Sequence, residues 1–209
     1  MRLTAVILFG APVGAGVLVG YLCGGRLSGL SAVRLRRLWL LWLAAALQIL
    51  QLTTTQVWPA GLGGPARVAL LAGTFVTGLA WLALNTPDRP GVMQFAVWTI
   101  AAGGILNAVP VAVNGRMPYN RSAATAAGLR AGTLTAKNVA ADAHTRVPAL
   151  GDIIPVAAVH AVLSIGDLLI IAGVIGLIAS AMGQSRPGRQ GRSRSGAQAR
   201  PLTPKENPT

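Results

Sequence analysis

The chain has 209 residues, of which 53% are hydrophobic and only 11% are charged, and its mean hydropathy is +0.57. Soluble domains carry roughly 25% charged residues, so this composition excludes an ordinary soluble domain and is typical of an integral membrane protein. The formal net charge is +13, and the single cysteine, Cys23, excludes an intramolecular disulfide and a four-cysteine metal site.

Apolar runs approach or exceed the roughly 20 residues that cross a bilayer core. We therefore predict an all-α, polytopic membrane helix bundle over residues 1–183, with about five transmembrane helices and a long outer loop before the last one. The predicted spans are 3–23, 38–58, 67–84, 92–113 and 153–182. We expect the first to be retained, because no small-x-small cleavage pattern follows it.

Three pairs of glycines stand four residues apart in "GAPVGAGVLVGYLCG", namely Gly10 and Gly14, Gly16 and Gly20, and Gly20 and Gly24. This spacing lets helix backbones approach closely in lipid. It predicts tight packing inside the bundle more than a homodimer face, since such motifs are common in any membrane bundle.

The fourth predicted span ends abruptly in "NAVPVAVNGRMPYN". The Asn-Gly pair is typical of a turn, so we expect the helix to stop there and to place Arg116 at the outer interface. Long loops of the kind that follows, 115–152, tend to fold or to be functional, and a short Ala-rich helix is predicted near 122–131. Asn107 and Asn114 share one face of the preceding helix.

The last predicted span holds an unusual set of polar residues. His160, Ser164 and Asp167 are spaced i, i+4 and i+7, which predicts that they project from one helical face. An acid within a membrane is costly, so Asp167 should face the bundle and have a partner. Asp152 is predicted to cap the N-terminus of this helix, where the helix dipole favours a carboxylate.

Polar residues on other spans suggest a seam through the bundle. His160 and Asn107 lie at similar depths, so the two side chains are expected to be within reach of each other. Gln48, Gln51 and Thr55 form a further polar line on the second span. Two interpretations remain open, namely a hydrogen-bond network that only fixes helix packing, and a functional pocket.

The distribution of basic residues predicts the orientation. One side of a five-span bundle receives 11 Lys and Arg residues and the other receives 7, which places the N-terminus outside and the C-terminus in the cytoplasm of a cell membrane. The tail, 184–209, is rich in Gly, Pro, Ser and Arg and has no aromatic residue, so it is predicted to be disordered. It suits anionic lipid headgroups and not nucleic acid, whose single-strand readers add stacking aromatics.

The motifs "NGRMPYN", "LGDIIP" and "SIGD" together resemble an uncharacterised family of small, about five-span membrane proteins of Gram-positive bacteria. The resemblance covers roughly residues 1–182 and implies the helical fold, but it assigns no activity. The family-like positions are Asn114, Gly115, Met117, Pro118, Asp152, Ser164, Gly166 and Asp167.

No reaction follows from this inventory. A zinc site built from His144, Asp152 and His160 lacks close helical spacing, and a Ser-His-Asp triad strung along one helix puts the acid in the wrong place.

We predict a membrane protein that binds a ligand or an envelope partner at an outward-facing polar site between 114–152 and the last two helices, without a cofactor. The alternatives are an enzyme acting at the outer face and a proton-linked carrier that uses Asp167 and works as a homo-oligomer. The candidate site residues are Asn107, Asn114, Arg116, His144, Asp152, His160, Ser164 and Asp167.

Overall fold

The computed structural model describes residues 2–57, 64–130 and 138–185, and this part of the chain is mostly helical. Its helices and strands, in chain order, are α1 (Arg2–Leu22), α2 (Ser28–Ser31), α3 (Leu38–Val57), α4 (Gly64–Leu84), α5 (Gly91–Asn114), β1 (Met117–Tyr119), α6 (Arg121–Ala126), β2 (Asn138–Ala140), β3 (Ile154–Val156), β4 (Ala161–Leu163) and α7 (Ile165–Met182). The predicted disorder of the tail, 184–209, is wrong for its first two residues, which belong to the 3₁₀ turn Gly183–Ser185, and the rest of the tail lies outside the described residues. The side chain of Thr55 also lies outside them.

Two helices, α5 and α7, are long and apolar enough to cross a membrane. In the described residues, α1, α3 and α4 contain shorter apolar stretches, at 10–22, 38–51 and 68–84. The first four apolar runs of the sequence therefore coincide with helices whose ends lie within a few residues of the predicted ones. The predicted Ala-rich helix of the loop is present as α6, which is shorter than expected.

The fifth predicted helix, 153–182, is wrong over its first twelve residues. Residues 153–164 form the antiparallel hairpin β3–β4 and a 3₁₀ turn, and α7 begins only at Ile165. Pro155 contributes to this break, because proline lacks an N–H and disfavours helical backbone at the residue before it. Ser164 then starts the helix as its N-cap.

Close contacts between glycine and neighbouring helices hold α7 between α1 and α5. A Cβ on Gly16 would lie 2.9 Å from Ile178 Cβ, and one on Gly20 would lie 2.5 Å from Met182 Sδ. On the opposite side, a Cβ on Gly103 would lie 2.5 Å from the carbonyl oxygen of Gly166. The predicted packing role of glycine within the bundle is confirmed for Gly16 and Gly20, whereas a Cβ on Gly10 or Gly14 would meet nothing within 4 Å.

The chain between α5 and α7 builds a small β-structure beside the end of α5. Strand β1 pairs in parallel with β2, and Tyr119 on its other side forms a bridge with Asp152. The Asp152 N–H donates to the carbonyl of Pro118 at 2.8 Å, so the strand returning toward α7 lies against β1. A Cβ on Gly151 would overlap the Pro118 carbonyl, which is why this approach requires glycine.

Candidate functional site

A cavity of about 280 Å³ opens where the α3–α4 pair, α5, α7 and the 115–152 loop meet. Its wall is partly apolar, from Leu71, Phe75, Val111 and Met117. The polar side of the lining comes from Gln48, Gln51, Asn107, Arg116, Asn138, Asp152 and Asp167. Two aspartates and one arginine therefore line a single concave surface.

Asp167 is fixed at this cavity by a capping box at the start of α7. The Ser164 hydroxyl accepts from the Asp167 N–H at 3.0 Å, and the Ser164 N–H donates to Asp167 Oδ2 at 2.9 Å. A capping box satisfies two of the N–H groups that a helix N-terminus leaves without intrahelical acceptors. The carboxylate also lies where the helix dipole favours negative charge.

Asn107 joins this capping box to α5. Its amide donates to Asp167 Oδ1 at 2.7 Å, and its carbonyl oxygen accepts from the Ser164 hydroxyl at 2.7 Å. Ser164 is fully buried, and its hydroxyl has a hydrogen-bond partner on α5. The Asp167 carboxylate is held by the same residue of α5. The expectation that Asp167 has a polar partner within the bundle is confirmed.

The predicted arrangement of the polar residues along α7 is wrong. Asp167 lies in the first turn of the helix, Ser164 is the N-cap, and His160 lies outside the helix. Asn107 therefore meets Ser164 and Asp167 and not His160, whose Nδ1 lies 3.1 Å from the carbonyl oxygen of Ala127. His160 has a left-handed backbone (φ 48°), which aims its ring at the loop near Gly128.

Asp152 reaches the cavity from the loop and does not cap α7. Its carboxylate accepts from the Asn138 amide at 2.6 Å, and the side chain is 9% exposed. Burial raises the pKa of Asp152 to about 7, with a further increase from the Asp167 carboxylate and an opposing decrease from the Asn138 hydrogen bond. This acid therefore gains or loses its proton near neutral pH.

The raised pKa of Asp152 predicts how pH affects stability. Its folded-state pKa of about 7 exceeds the ordinary value of 3.8, so the folded protein binds the extra proton and stability falls as pH rises between these values. We expect Asp152→Asn to raise the melting temperature at pH 8, since the amide carries no buried charge and keeps an oxygen for Asn138. At pH 5 the two proteins should melt nearly together. A variant that is less stable than the wild type at pH 8 would contradict the assignment.

Other predicted site residues support the loop and do not line the cavity. Asn114 donates to the carbonyl of Arg146 at 2.8 Å and accepts from the Arg146 N–H at 2.8 Å, which ties the loop to the end of α5. The predicted stop there is confirmed, because α5 ends at Asn114 and Gly115 is left-handed (φ 72°). His144 is exposed in a turn, where its N–H donates to Asp142 Oδ1 at 2.9 Å.

Sequence reasoning missed Asn138, the loop residue that holds Asp152. No spacing rule links it to the acid, because the contact depends on the parallel pairing of β1 with β2. Among the residues described, no three His, Cys, Asp or Glu side chains cluster in a way that would hold a metal ion. The cavity thus offers carboxylate and amide oxygens that accept hydrogen bonds, and the carboxylates attract a positive charge. Asp152 can also take up or release a proton near neutral pH.

The described part of the chain is therefore mostly helical, with two helices long enough to cross a membrane. A cavity lined by two acids lies at the end of α5. The chain belongs to the family of unknown function DUF5317, whose model matches residues 32–179. The expected membership of an uncharacterised family is therefore confirmed. Comparison with curated proteins and with solved structures gives no match.

Proposed function

We propose that this protein is a five-span bundle of the cell membrane that binds a small polar ligand in the outward-facing cavity. The lengths of α1, α3 and α4, 21, 20 and 21 residues, support five spans, because about 20 helical residues cover the hydrocarbon core. Exposed large apolar side chains also support a lipid environment, with Trp42 75% exposed and Phe95 74% exposed.

The charge distribution supports the orientation. Excess Lys and Arg mark the cytoplasmic side of a membrane protein. The side with the 24–37 loop, the 85–90 loop and the C-terminal tail is the richer one, with 11 such residues against 7. The cavity lies at the opposite end of α5, so in this orientation it opens outward and receives its ligand from outside the cell.

The observation that carries the ligand proposal is the convergence of Asp152 and Asp167 on one cavity. Two carboxylates in a partly desolvated site favour a ligand with a cationic group or several N–H or O–H donors. Arg116 on the same wall suits an anionic or carbonyl group elsewhere on the ligand. A concave site of about 280 Å³ fits a small molecule better than the flat surface of an envelope protein.

A thermal-shift experiment on the purified protein tests this proposal. The probes are ethanolamine, glycine, acetate and glucose, added at pH 8 to the wild type and to Asp152→Asn. We expect ethanolamine or glycine to raise the melting temperature of the wild type, and acetate to have no effect. The shift should shrink in Asp152→Asn and persist in the control Asp142→Asn, because Asp142 is exposed in a turn outside the cavity. Equal shifts in all three proteins would contradict binding at the cavity.

The raised pKa of Asp152 favours one second candidate, a proton-linked carrier. Protonation of Asp152 below about pH 7 removes its charge, so a cationic ligand binds more weakly as pH falls. A carrier of this kind would take up the amine probe into proteoliposomes in response to a pH gradient, and a binding protein would not. Uptake that depends on Asp152 would establish the carrier.

A further inference from the structure

We infer that the basic end of the bundle holds one anionic phospholipid in a built site between α4, α5, α7 and the 30–36 loop. This inference rests on the proposed membrane bundle and concerns the end opposite the acid-lined cavity. It is separate from the predicted attraction of the basic tail to lipid, because it uses none of the Lys and Arg residues of that tail.

Two cavities at this end share Val33, Asn85 and Arg89, so they adjoin. The first has a volume of about 250 Å³, and its polar residues are Arg34, Arg36, Asn85, Asp88, Arg89 and Gln184. The second, of about 210 Å³, is lined mainly by apolar side chains, among them Leu30, Leu35, Trp81, Leu82, Leu177 and Ile178. A polar chamber that continues into an apolar one matches a headgroup joined to an acyl chain.

The loop that forms the polar chamber is held firmly to the helices. Asn85, which is 8% exposed, accepts from the Arg36 N–H at 2.8 Å and donates to the Arg36 carbonyl at 3.0 Å. The Trp81 indole N–H donates to the same carbonyl at 3.0 Å. These contacts fix the position of the arginine-bearing loop before any ligand binds, which lowers the entropic cost of binding.

Arg89 lies at the junction of the two chambers and carries the charge argument. Its Nε donates to the Asn85 carbonyl, and its Nη1 and Nη2 contact Met93 Sδ at 3.3 Å and the Arg34 carbonyl at 3.2 Å. A guanidinium has five N–H groups, so these three contacts leave one N–H on each terminal nitrogen as a donor for a phosphate oxygen. Asp88 forms an ion pair with Arg36, and among the described residues Arg89 has no acidic partner.

The balance of charge therefore favours an anion. Three arginines and one aspartate line the polar chamber, and the aspartate is already paired with Arg36 at 2.8 Å. Basic pockets between transmembrane helices on the cytoplasmic side are typical sites for anionic headgroups. The apolar chamber adds the requirement for a hydrocarbon chain, which a free phosphate ion does not meet.

Native mass spectrometry of the detergent-purified full chain tests the inference. We expect the wild type to retain phosphatidylglycerol under conditions that remove phosphatidylcholine. Arg89→Gln should reduce the retained phosphatidylglycerol about tenfold, the loss expected for one charged hydrogen-bonding group. Leu35→Gln should also reduce retention, since Leu35 lines the apolar chamber and is 48% exposed, so its replacement leaves the folded core intact.

Arg26→Gln is the matched control, because Arg26 is an exposed arginine at the same end of the bundle that lies outside the 30–36 loop and lines neither chamber. Equal retention in the wild type and Arg89→Gln, or equal loss in Arg26→Gln, would overturn the site. Inorganic phosphate alone, added without lipid, should not displace the bound phosphatidylglycerol, and full displacement would show an anion site that does not recognise lipid.

Alkaline carbonate extraction of cell membranes tests the bundle separately. A chain that stays in the membrane but fails to retain lipid removes this inference alone.

Discussion

Gly166→Ala should be the most damaging single methyl addition in the described part of the bundle. A Cβ at this position would overlap Asn107 Oδ1 and would lie 2.6 Å from the carbonyl oxygen of Gly103. The methyl group must therefore push α5 away from α7 and separate Asn107 from Ser164 and Asp167. Overpacking alone costs about 1–3 kcal/mol, which corresponds to a fall in melting temperature of about 2–12 °C for a chain of this size.

Gly104→Ala is the control for this prediction. A Cβ on Gly104 meets nothing within 4 Å, although the residue lies on α5 next to Gly103. Alanine also has the higher helix propensity, so Gly104→Ala should leave the melting temperature unchanged or raise it. Scanning fluorimetry of the two purified variants in one detergent makes the comparison. A Gly166→Ala protein as stable as Gly104→Ala would show that the close approach of α5 and α7 is absent.

Asp167→Asn should be strongly destabilising, even though the two side chains have nearly the same size. Both carboxylate oxygens accept hydrogen bonds, one from the Asn107 amide at 2.7 Å and one from the Ser164 N–H at 2.9 Å. An asparagine has only one oxygen, so its own amide would face one of these two donors. Loss of a hydrogen bond to a charged group costs about 1.5–3 kcal/mol, and we expect a loss of that size in the free energy of unfolding.

Exchanging the amide and the carboxylate between positions 107 and 167 should restore the stability that Asp167→Asn loses. In the double variant Asn107→Asp with Asp167→Asn, the new amide donates to the new carboxylate and the Ser164 N–H still meets an oxygen. The double variant should therefore recover most of the stability lost in Asp167→Asn, and the coupling is read from a double-mutant cycle. Asp88→Asn, at a side chain that is 73% exposed, should have little effect. A double variant no more stable than Asp167→Asn would contradict the pairing.

Regular features of the fold were predictable because they depend on local composition. Apolar runs of helical length located α1, α3, α4 and α5 as helices, since a long apolar segment forms its own backbone hydrogen bonds in lipid. The end of α5 was predictable from Asn114-Gly115, because glycine adopts the left-handed conformation that ends a helix. The partner of Asp167 was expected for a similar reason, since a buried acid requires one.

The start of α7 was not predicted, because two patterns compete in 153–164. The apolar content of this stretch continues that of α7, so hydropathy alone extends the helix to residue 153. The i, i+3 pair Ser164 and Asp167 is also a capping box, and that signal places the helix start at Ile165. The prediction that His160 and Asp167 share a helical face required a helix that includes both residues. The capping box starts α7 after Ser164, so His160 lies outside the helix.

The cavity itself depends on contacts between distant parts of the chain. Asp152 lines it because β1 pairs with β2 on one side and bridges to residue 152 on the other. Asn138 then reaches the Asp152 carboxylate across a parallel ladder. Such pairings arise from tertiary packing and leave no spacing pattern in the sequence, so Asp152 resembled an N-cap when only its neighbours were considered.

Cysteine labelling in intact cells tests the central claim most directly, namely that the acid-lined cavity opens to the outside of a membrane bundle. The exposed native cysteine is first replaced, as Cys23→Ser, and a single cysteine is then placed by Arg116→Cys at the cavity or by Arg26→Cys at the basic end. A membrane-impermeant maleimide should label Arg116→Cys in intact cells, and Arg26→Cys only after the cells are permeabilised. Labelling of Arg26→Cys from outside while Arg116→Cys stays protected until permeabilisation would contradict the account.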